Sequence, residues 1–372
     1  MDYLGKGIPK LGFGLMRLPR IDENIDIEQV KTMVDKFLSA GFTYFDTAYA
    51  YQGSEEAIKE ALVNRYPRES YQLATKLPAW IGAKNADEAK EMFFTSLNRT
   101  GAGYFDYYLL HNCGGNRTEV FEKYNLWDFV LEQKEKGLIK HIGFSMHDSA
   151  DALDELLSKH PEAEFVQLQI NYADWESGSV QSKACYEIAK KHGKPIIIME
   201  PVKGGLLANP PEPVAKILME ANSDYSISSW ALRFAASLDN IITVLSGMSN
   251  IEQMEDNIAT MSDFKPLSDD EFNSIDKARE ALNKIPSIPC TSCRYCTKGC
   301  PEGIAIPDIF SAMNINLTYN NIDSAKFSYN WAIRNGSPAS KCISCGQCES
   351  VCPQHIDIIN QLKRAADILE NK

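Results

Sequence analysis

From Leu11 to Leu245, short apolar runs alternate with longer stretches whose apolar positions recur every three or four residues. The first pattern predicts buried strands and the second amphipathic helices. Strands are expected at Leu11–Leu15, Phe42–Asp46, Tyr71–Thr75, Tyr104–Leu110, His141–Phe144, Phe165–Gln169, Pro195–Met199 and Ile241–Leu245. Helices are expected between most of them, at Ile27–Ala40, Ser54–Asn64, Ala86–Arg99, Glu119–Lys136 and Val180–His192. Gly41 and Gly193 follow two of these, where a helix ends in a left-handed residue. Eight strands alternating with helices make the count of a (β/α)8 TIM barrel. The rival is a doubly wound open sheet, which usually carries a glycine-rich phosphate loop between its first strand and a helix. Gly12 and Gly14 lie in the first strand with no helix directly behind them, so the open sheet is rejected.

One more helix is expected at Ser268–Leu282, followed by Ile285-Pro286-Ser287-Ile288-Pro289. Two prolines in five residues make a stiff extended connector, which divides the chain into a barrel over 1–284 and a second domain over 285–372. Cysteine usage changes at the same point: two lie before Cys290 and eight from there onward. Cys290, Cys293, Cys296 and Cys300 precede Pro301, and Cys342, Cys345, Cys348 and Cys352 precede Pro353. Two C-x2-C pairs alone would leave zinc open. The doubled C-x2-C-x2-C-x3-C-P run points instead to two [4Fe-4S] clusters, with each fourth cysteine ligating the other cluster. One set is then Cys290, Cys293, Cys296 and Cys352, and the other Cys342, Cys345, Cys348 and Cys300. Ile306–Ile333 between the motifs reads as helical, so the tail resembles an α-helical ferredoxin. Cys113 and Cys185 lie outside both runs; Cys185 is expected in the core and Cys113 near the barrel mouth, as a packing or substrate-contact residue.

In a barrel, polar residues at the carboxyl ends of successive strands converge on one mouth. Asp46 ends the second strand, Lys76 follows the third, and His111 follows the fourth. Tyr51 lies in the loop behind Asp46, before a helix that Ser54 is placed to cap and whose first turn carries Glu55 and Glu56. These four suit carbonyl reduction. Tyr51 would donate a proton to the carbonyl oxygen as hydride reaches carbon. An adjacent Lys76 would lower its pKa, Asp46 would hold the lysine, and His111 would orient the carbonyl.

The segments Phe45-Asp46-Thr47-Ala48-Tyr49-Ala50-Tyr51, Leu73-Ala74-Thr75-Lys76-Leu77 and Leu109-Leu110-His111-Asn112 resemble the aldo-keto reductase family, and the resemblance runs over about residues 8–262. It implies catalytic roles for Asp46, Tyr51, Lys76 and His111. It also implies that Ser145 and Gln169 contact the nicotinamide carboxamide, that Glu200, Pro201, Lys203 and Gly204 line the pyrophosphate, and that Gly247, Ser249, Gln253, Asp256 and Asn257 hold the adenosine end. The chain departs from the family pattern in three places. Met146 stands where many members have Asn, and Met199-Glu200 replaces a Tyr-Ser pair whose ring stacks on nicotinamide. Gln253 replaces an Arg that holds the 2′-phosphate, a role for which Lys203 is a candidate substitute.

The expected function is an oxidoreductase that reduces a carbonyl, or oxidises an alcohol, with NADP(H) or NAD(H), its clusters carrying electrons. A hydride moves two electrons and a cluster accepts one, so a flavin is a further candidate cofactor and the chain shows no motif for it. The alternatives are a ferredoxin- or partner-coupled electron-transfer enzyme, and a non-enzymatic redox sensor with structural clusters. A net charge of −12 excludes non-specific nucleic-acid binding. No apolar run is long enough for a membrane span, and no signal region opens the chain, so a cytoplasmic protein is expected.

Overall fold

A computed structural model describes residues 4–371, and of Asn335 the backbone alone. Eight parallel strands close into a barrel: β1 Leu11–Gly14, β2 Tyr44–Asp46, β3 Gln72–Leu77, β4 Phe105–Cys113, β5 Ile139–Met146, β6 Phe165–Gln169, β7 Ile196–Met199 and β8 Ile241–Ser246. Each pairs with its sequence neighbours, and β1 closes the ring by pairing with both β2 and β8. The strands are rich in apolar residues, as parallel strands covered on both faces must be, with Thr75, Asp106, Gln167 and Thr243 among the buried polar exceptions. Tyr44, Ala74, Tyr107, Leu109, Phe165, Ile197, Ile242 and Leu245 pack together as one buried cluster, and Leu4 and Ile8 pack against it.

The connecting helices start on side-chain caps. Asp26, Asn85, Ser149, Ser226 and Asn250 each accept a hydrogen bond from the backbone N–H three residues on, which satisfies a donor the helix leaves free. Gly41 and Gly193 take the expected positive φ, 87° and 65°. Two expectations fail locally. Ser54 does not cap its helix: Gly53 is the cap residue, and the Ser54 hydroxyl donates to the Leu15 carbonyl and pairs with Thr47. The single helix expected at Glu119–Lys136 is two, Asn116–Lys123 and Leu126–Glu135, because Asn125 adopts φ 51°. Asn tolerates that left-handed conformation, and the apolar pattern runs through it unbroken.

The chain forms two compact units: one runs to Leu207 and resumes over Ser223–Phe272, and the other comprises Ala208–Asn222 and Asn273–Lys372. In the second, helices Ile306–Tyr319, Ile322–Ala332 and Ile358–Leu369 surround a core of Ile306, Ile309, Phe310, Met313, Tyr329, Ile358 and Leu362. The duplication seen in the cysteine motifs extends to the backbone at a constant offset. Ser292 and Ser344, Arg294 and Gly346, and Gly303 and His355 all have positive φ. Short helices Tyr295–Lys298 and Gln347–Ser350 precede each fourth cysteine, and the long helices at Ile306 and Ile358 each follow one. No helix among the described residues is long and apolar enough to cross a membrane.

Candidate active site and cysteine centres

The barrel mouth gathers the four residues named for catalysis. The Lys76 ammonium, on β3, donates to the Asp46 carboxylate at 2.5 Å and to the Thr47 carbonyl at 2.7 Å. It also lies 5.0 Å from the centroid of the Tyr51 ring. His111 stands edge-on to Tyr51, ring centroids 6.0 Å apart, and edge-on to Trp80, 6.4 Å away. The Trp80 indole N–H fixes the backbone there by donating to the His111 carbonyl at 2.7 Å. Lys76 and Asp46 are 1% and 3% exposed. Two buried charges survive in such a place only as a pair.

The environment sets the protonation of each group. Burial pulls the Lys76 ammonium toward neutrality, but Asp46 and Tyr51 outweigh it and hold the amine charged. Burial pushes the Tyr51 hydroxyl above its ordinary range, and Lys76 offsets only part of that shift. This differs from the lowered value expected of a tyrosine beside a lysine; desolvation is the larger effect and keeps the ring a phenol. Burial, and then the Lys76 charge, press the His111 imidazole well below its ordinary range, so it is neutral. Its Nδ1 and the Asp46 Oδ2 are buried without a hydrogen-bond partner among the described residues, an arrangement that usually has an explanation in function.

The residues named for cofactor contact fall into separate small networks. Ser145, on β5, accepts from the Asn112 N–H at 2.8 Å. Gln169, at the end of β6, meets His147 at 3.0 Å and donates to Asp174 at 3.2 Å. Asp174 also takes the Lys203 ammonium at 2.5 Å and the Asn171 amide at 2.9 Å. Burial raises the Asp174 carboxyl, but Lys203 and the two amides pull it below its ordinary range. Lys203 is therefore engaged, and its expected role as a substitute for the missing phosphate arginine has a built-in competitor. The loop behind β7 is bent back on itself: Glu200, Lys203, Gly204 and Gly205 all have positive φ, with Pro201 buried between them. Such backbone is rare outside glycine and clusters at ligand sites. Behind β8, Gly247 lies against Gly14 of β1. Gln253 accepts from the Ser249 N–H at 2.8 Å, and Asn257 donates to Ser246 at 2.8 Å. Asp256 is occupied by the Ser226 and Ser228 hydroxyls, at 2.9 and 2.7 Å. Thr47, Trp80, Asn171 and Asp174 were not singled out from sequence. Trp80 and Asp174 lie in the loops behind β3 and β6, and a census of polar and aromatic residues in those loops was the available signal.

In the second unit the eight cysteines ring two hollows. Cys290, Cys293, Cys296 and Cys352 line one, with Ile306, Phe310 and Ile356. Cys300, Cys342, Cys345 and Cys348 line the other, with Ile304, Ile306 and Leu362. Each encloses about 320 Å³ of atom-free space, its open side included. No three Cys, His, Asp or Glu among the described residues close on a single point as one metal ion requires. Four thiols around an apolar-walled hollow fit an iron–sulfur cluster, whose irons supply the positive charge that keeps thiolates ionised. Without it, burial pushes Cys296 and Cys348 up to about 11. Cys185 is buried and pushed up to about 11, as a core thiol is. Cys113 is also fully buried, its thiol raised by desolvation, which removes it as a nucleophile and agrees with a packing role.

Residues 10–280 match the aldo/keto reductase family, and residues 289–356 match a 4Fe-4S dicluster domain. Methylglyoxal reductase DkgA of Escherichia coli O157:H7 is 29% identical over 237 residues, which cover 55% of this chain and 80% of that protein. An uncharacterised oxidoreductase, YqkF of Bacillus subtilis (strain 168), is 23% identical over 303 residues, 72% of this chain and 92% of the relative. Among solved structures, an aldo-keto reductase from Bacillus halodurans in its holo form superposes with a TM-score of 0.59 at 25% identity, covering 74% of this chain and 95% of that one. The barrel, its residues and these likenesses agree: the chain belongs to the aldo/keto reductase family and is an oxidoreductase that carries a 4Fe-4S domain behind its barrel.

Proposed function

We propose that the barrel reduces a small carbonyl compound to an alcohol, or runs the reverse, with NADPH or NADH. The observation that carries this reading is the Lys76 ammonium, paired to Asp46 at 2.5 Å and set 5.0 Å from the Tyr51 ring that His111 faces. A dinucleotide held at this mouth would supply hydride to the carbonyl carbon. The Tyr51 hydroxyl, kept protonated by burial, delivers its proton to the carbonyl oxygen. Lys76 then stabilises the phenolate that remains, and Asp46 holds the lysine charged and in place. The neutral imidazole of His111 orients the carbonyl and polarises it through a hydrogen bond. Ser145, Gln169, Glu200, Pro201, Lys203, Gly204, Gly247, Ser249, Gln253, Asp256 and Asn257 are the residues we assign to the dinucleotide.

Tyr51→Phe tests the reading. With NADPH and a panel of aldehydes and ketones, the substitution should lower kcat by roughly a hundredfold to ten-thousandfold and leave the Kd for NADPH unchanged. Full turnover by the variant rejects it.

We also propose that 285–372 is the cluster domain and binds two [4Fe-4S] clusters with the crossed ligand sets. The clusters carry electrons to or from a ferredoxin or another redox protein. A specific observation favours conduction over mere stapling: Ile306 lines both hollows, so the two sites adjoin. Anaerobic purification should return about eight irons per chain. Flavin released by acid would favour cluster-coupled electron transfer through the barrel.

A further inference from the structure

The 2′-phosphate arginine of the family pattern is replaced by Gln253, and Lys203 is tied to Asp174 at 2.5 Å. Two other cations at the mouth are also engaged: Lys76 with Asp46, and Arg117 with the Asn112 carbonyl at 2.8 Å. Arg17, in the single 3-10 turn directly behind β1, is different. Its side chain is exposed, and it makes no hydrogen bond or ion pair among the described residues. Solvated surface arginines are common, so exposure by itself means little.

The path of the side chain carries the argument. Arg17 starts beside Gly247, where a Cβ would stand 3.9 Å from the arginine Cβ and 4.0 Å from its Cδ. It ends over Gly204, where a Cβ would stand 3.1 Å from Nη2 and 3.4 Å from Nη1. The arm thus spans the loops behind β8 and β7, and both lack a side chain where it lies. Gly204 has φ 67° and the adjoining Gly205 φ 98°, so this stretch presents bare backbone. In TIM barrels the loops behind strands seven and eight are a frequent phosphate site. A guanidinium offers the forked pair of donors that matches phosphate oxygens.

We propose that Arg17 binds the phosphates of the nucleotide cofactor against the Gly204 and Gly247 loops. It contacts the pyrophosphate, because its guanidinium lies against Gly204 in the loop assigned to that group. The proposal rests on the reading of the barrel as a nucleotide-dependent oxidoreductase. The shared chemistry is a phosphate ester anion, which a nicotinamide dinucleotide and a flavin nucleotide both present.

The test is isothermal titration of the anaerobic full-length protein, its clusters in place, with NADPH, NADH, FMN and inorganic pyrophosphate. Wild type is compared with Arg17→Ala and Arg17→Lys, and matching melting curves establish that both variants fold. Losing one charged hydrogen-bonding partner should weaken NADPH and NADH alike, by roughly tenfold to a hundredfold in Kd. Lysine should recover part of the loss. Equal Kd values in wild type and Arg17→Ala overturn the proposal and leave the hydride reading standing. A loss confined to NADPH moves the contact to the 2′-phosphate and overturns the pyrophosphate assignment. Wild type that ignores both dinucleotides but binds FMN through Arg17 supports the phosphate role and overturns the hydride reading. Binding of none of the four probes overturns both.

Discussion

His111 gives the site a pH signature that needs no substrate. Its imidazole is pressed well below its ordinary 6.5 by burial, then by Lys76, His147 and Arg117. The unfolded chain therefore takes up a proton as pH falls through 6.5, while the folded chain refuses it until far lower pH. Stability contributed by the neutral ring is full above that value and shrinks below it, by up to about 1.4 kcal/mol per pH unit. His111→Gln should remove this component. Melting temperatures of variant and wild type should converge, or cross in favour of the variant, as pH drops from about 7 to 5; parallel curves would refute the buried neutral ring. The Lys76–Asp46 pair has a thermodynamic signature of its own. Asp46→Asn strands a buried ammonium and should cost roughly 3–5 kcal/mol, whereas the double change Asp46→Asn with Lys76→Met should cost less than the sum of the two singles. Denaturant titration of the four proteins reads the coupling. Asp46, Lys76 and His111 were placed at one mouth from sequence because each stands at or near the carboxyl end of a barrel strand, with Tyr51 in the loop behind Asp46. Asp174, Trp80 and Arg17 were not. Their positions depend on loop conformation, and Arg17 lies far in sequence from the two loops that it crosses.

At the scale of elements, apolar alternation located all eight barrel strands, with ends displaced by a few residues. The displacement has a cause: β4 breaks register after Leu110, where Asn112 takes φ 56°, and resumes pairing at Cys113 opposite Met146, while β5 runs on through Ser145-Met146 because Gln167 and Leu168 of β6 pair with them. The pattern missed the break between Asn116–Lys123 and Leu126–Glu135, since one left-handed residue does not alter which faces are apolar. Asn125 is the hinge of that break, at φ 51°. Asn125→Gly should therefore be neutral or slightly stabilising, and Asn125→Ala should cost roughly 1–2 kcal/mol, as a left-handed residue without a compensating side chain does. Thermal melts of the pair decide it, and an alanine variant as stable as wild type would mean the two helices are free to fuse. Gly143 on β5 tests strand packing more severely. A Cβ there would stand 2.4 Å from the Phe165 carbonyl oxygen, a backbone atom that cannot turn aside. Gly143→Ala should thus separate β5 from β6 and lower the yield of folded protein far more than Gly137→Ala, whose site has open space and costs only the strain of its φ of 75°.

Over the whole molecule, an aldo/keto reductase barrel and a 4Fe-4S domain share one chain. The cysteine runs were legible because ligand spacing is local, and the duplicated backbone around them follows from the duplicated motif. The run also implied that each fourth cysteine serves the other cluster, and the linings of the two hollows group the cysteines in that crossed way: Cys352 with Cys290, Cys293 and Cys296, and Cys300 with Cys342, Cys345 and Cys348. Cys352→Ala should therefore deplete the cluster of the first run, and Cys300→Ala that of the second, each leaving about half the iron. Doubling either variant with a second substitution gives the sign. Cys352→Ala with Cys293→Ala should lose no more iron than Cys352→Ala alone, whereas Cys352→Ala with Cys345→Ala should lose nearly all of it. The reverse pattern would assign each fourth cysteine to its own run. The same protein then answers the electron question. A hydride donor delivers two electrons at once and a cluster takes one, so NADPH alone should leave the visible absorption of the clusters unbleached under anaerobic conditions, while dithionite bleaches it. Bleaching by NADPH requires a converter between the two currencies of electrons; acid release of a flavin in proportion to that bleaching would identify it and move the barrel's primary role from carbonyl reduction to electron transfer.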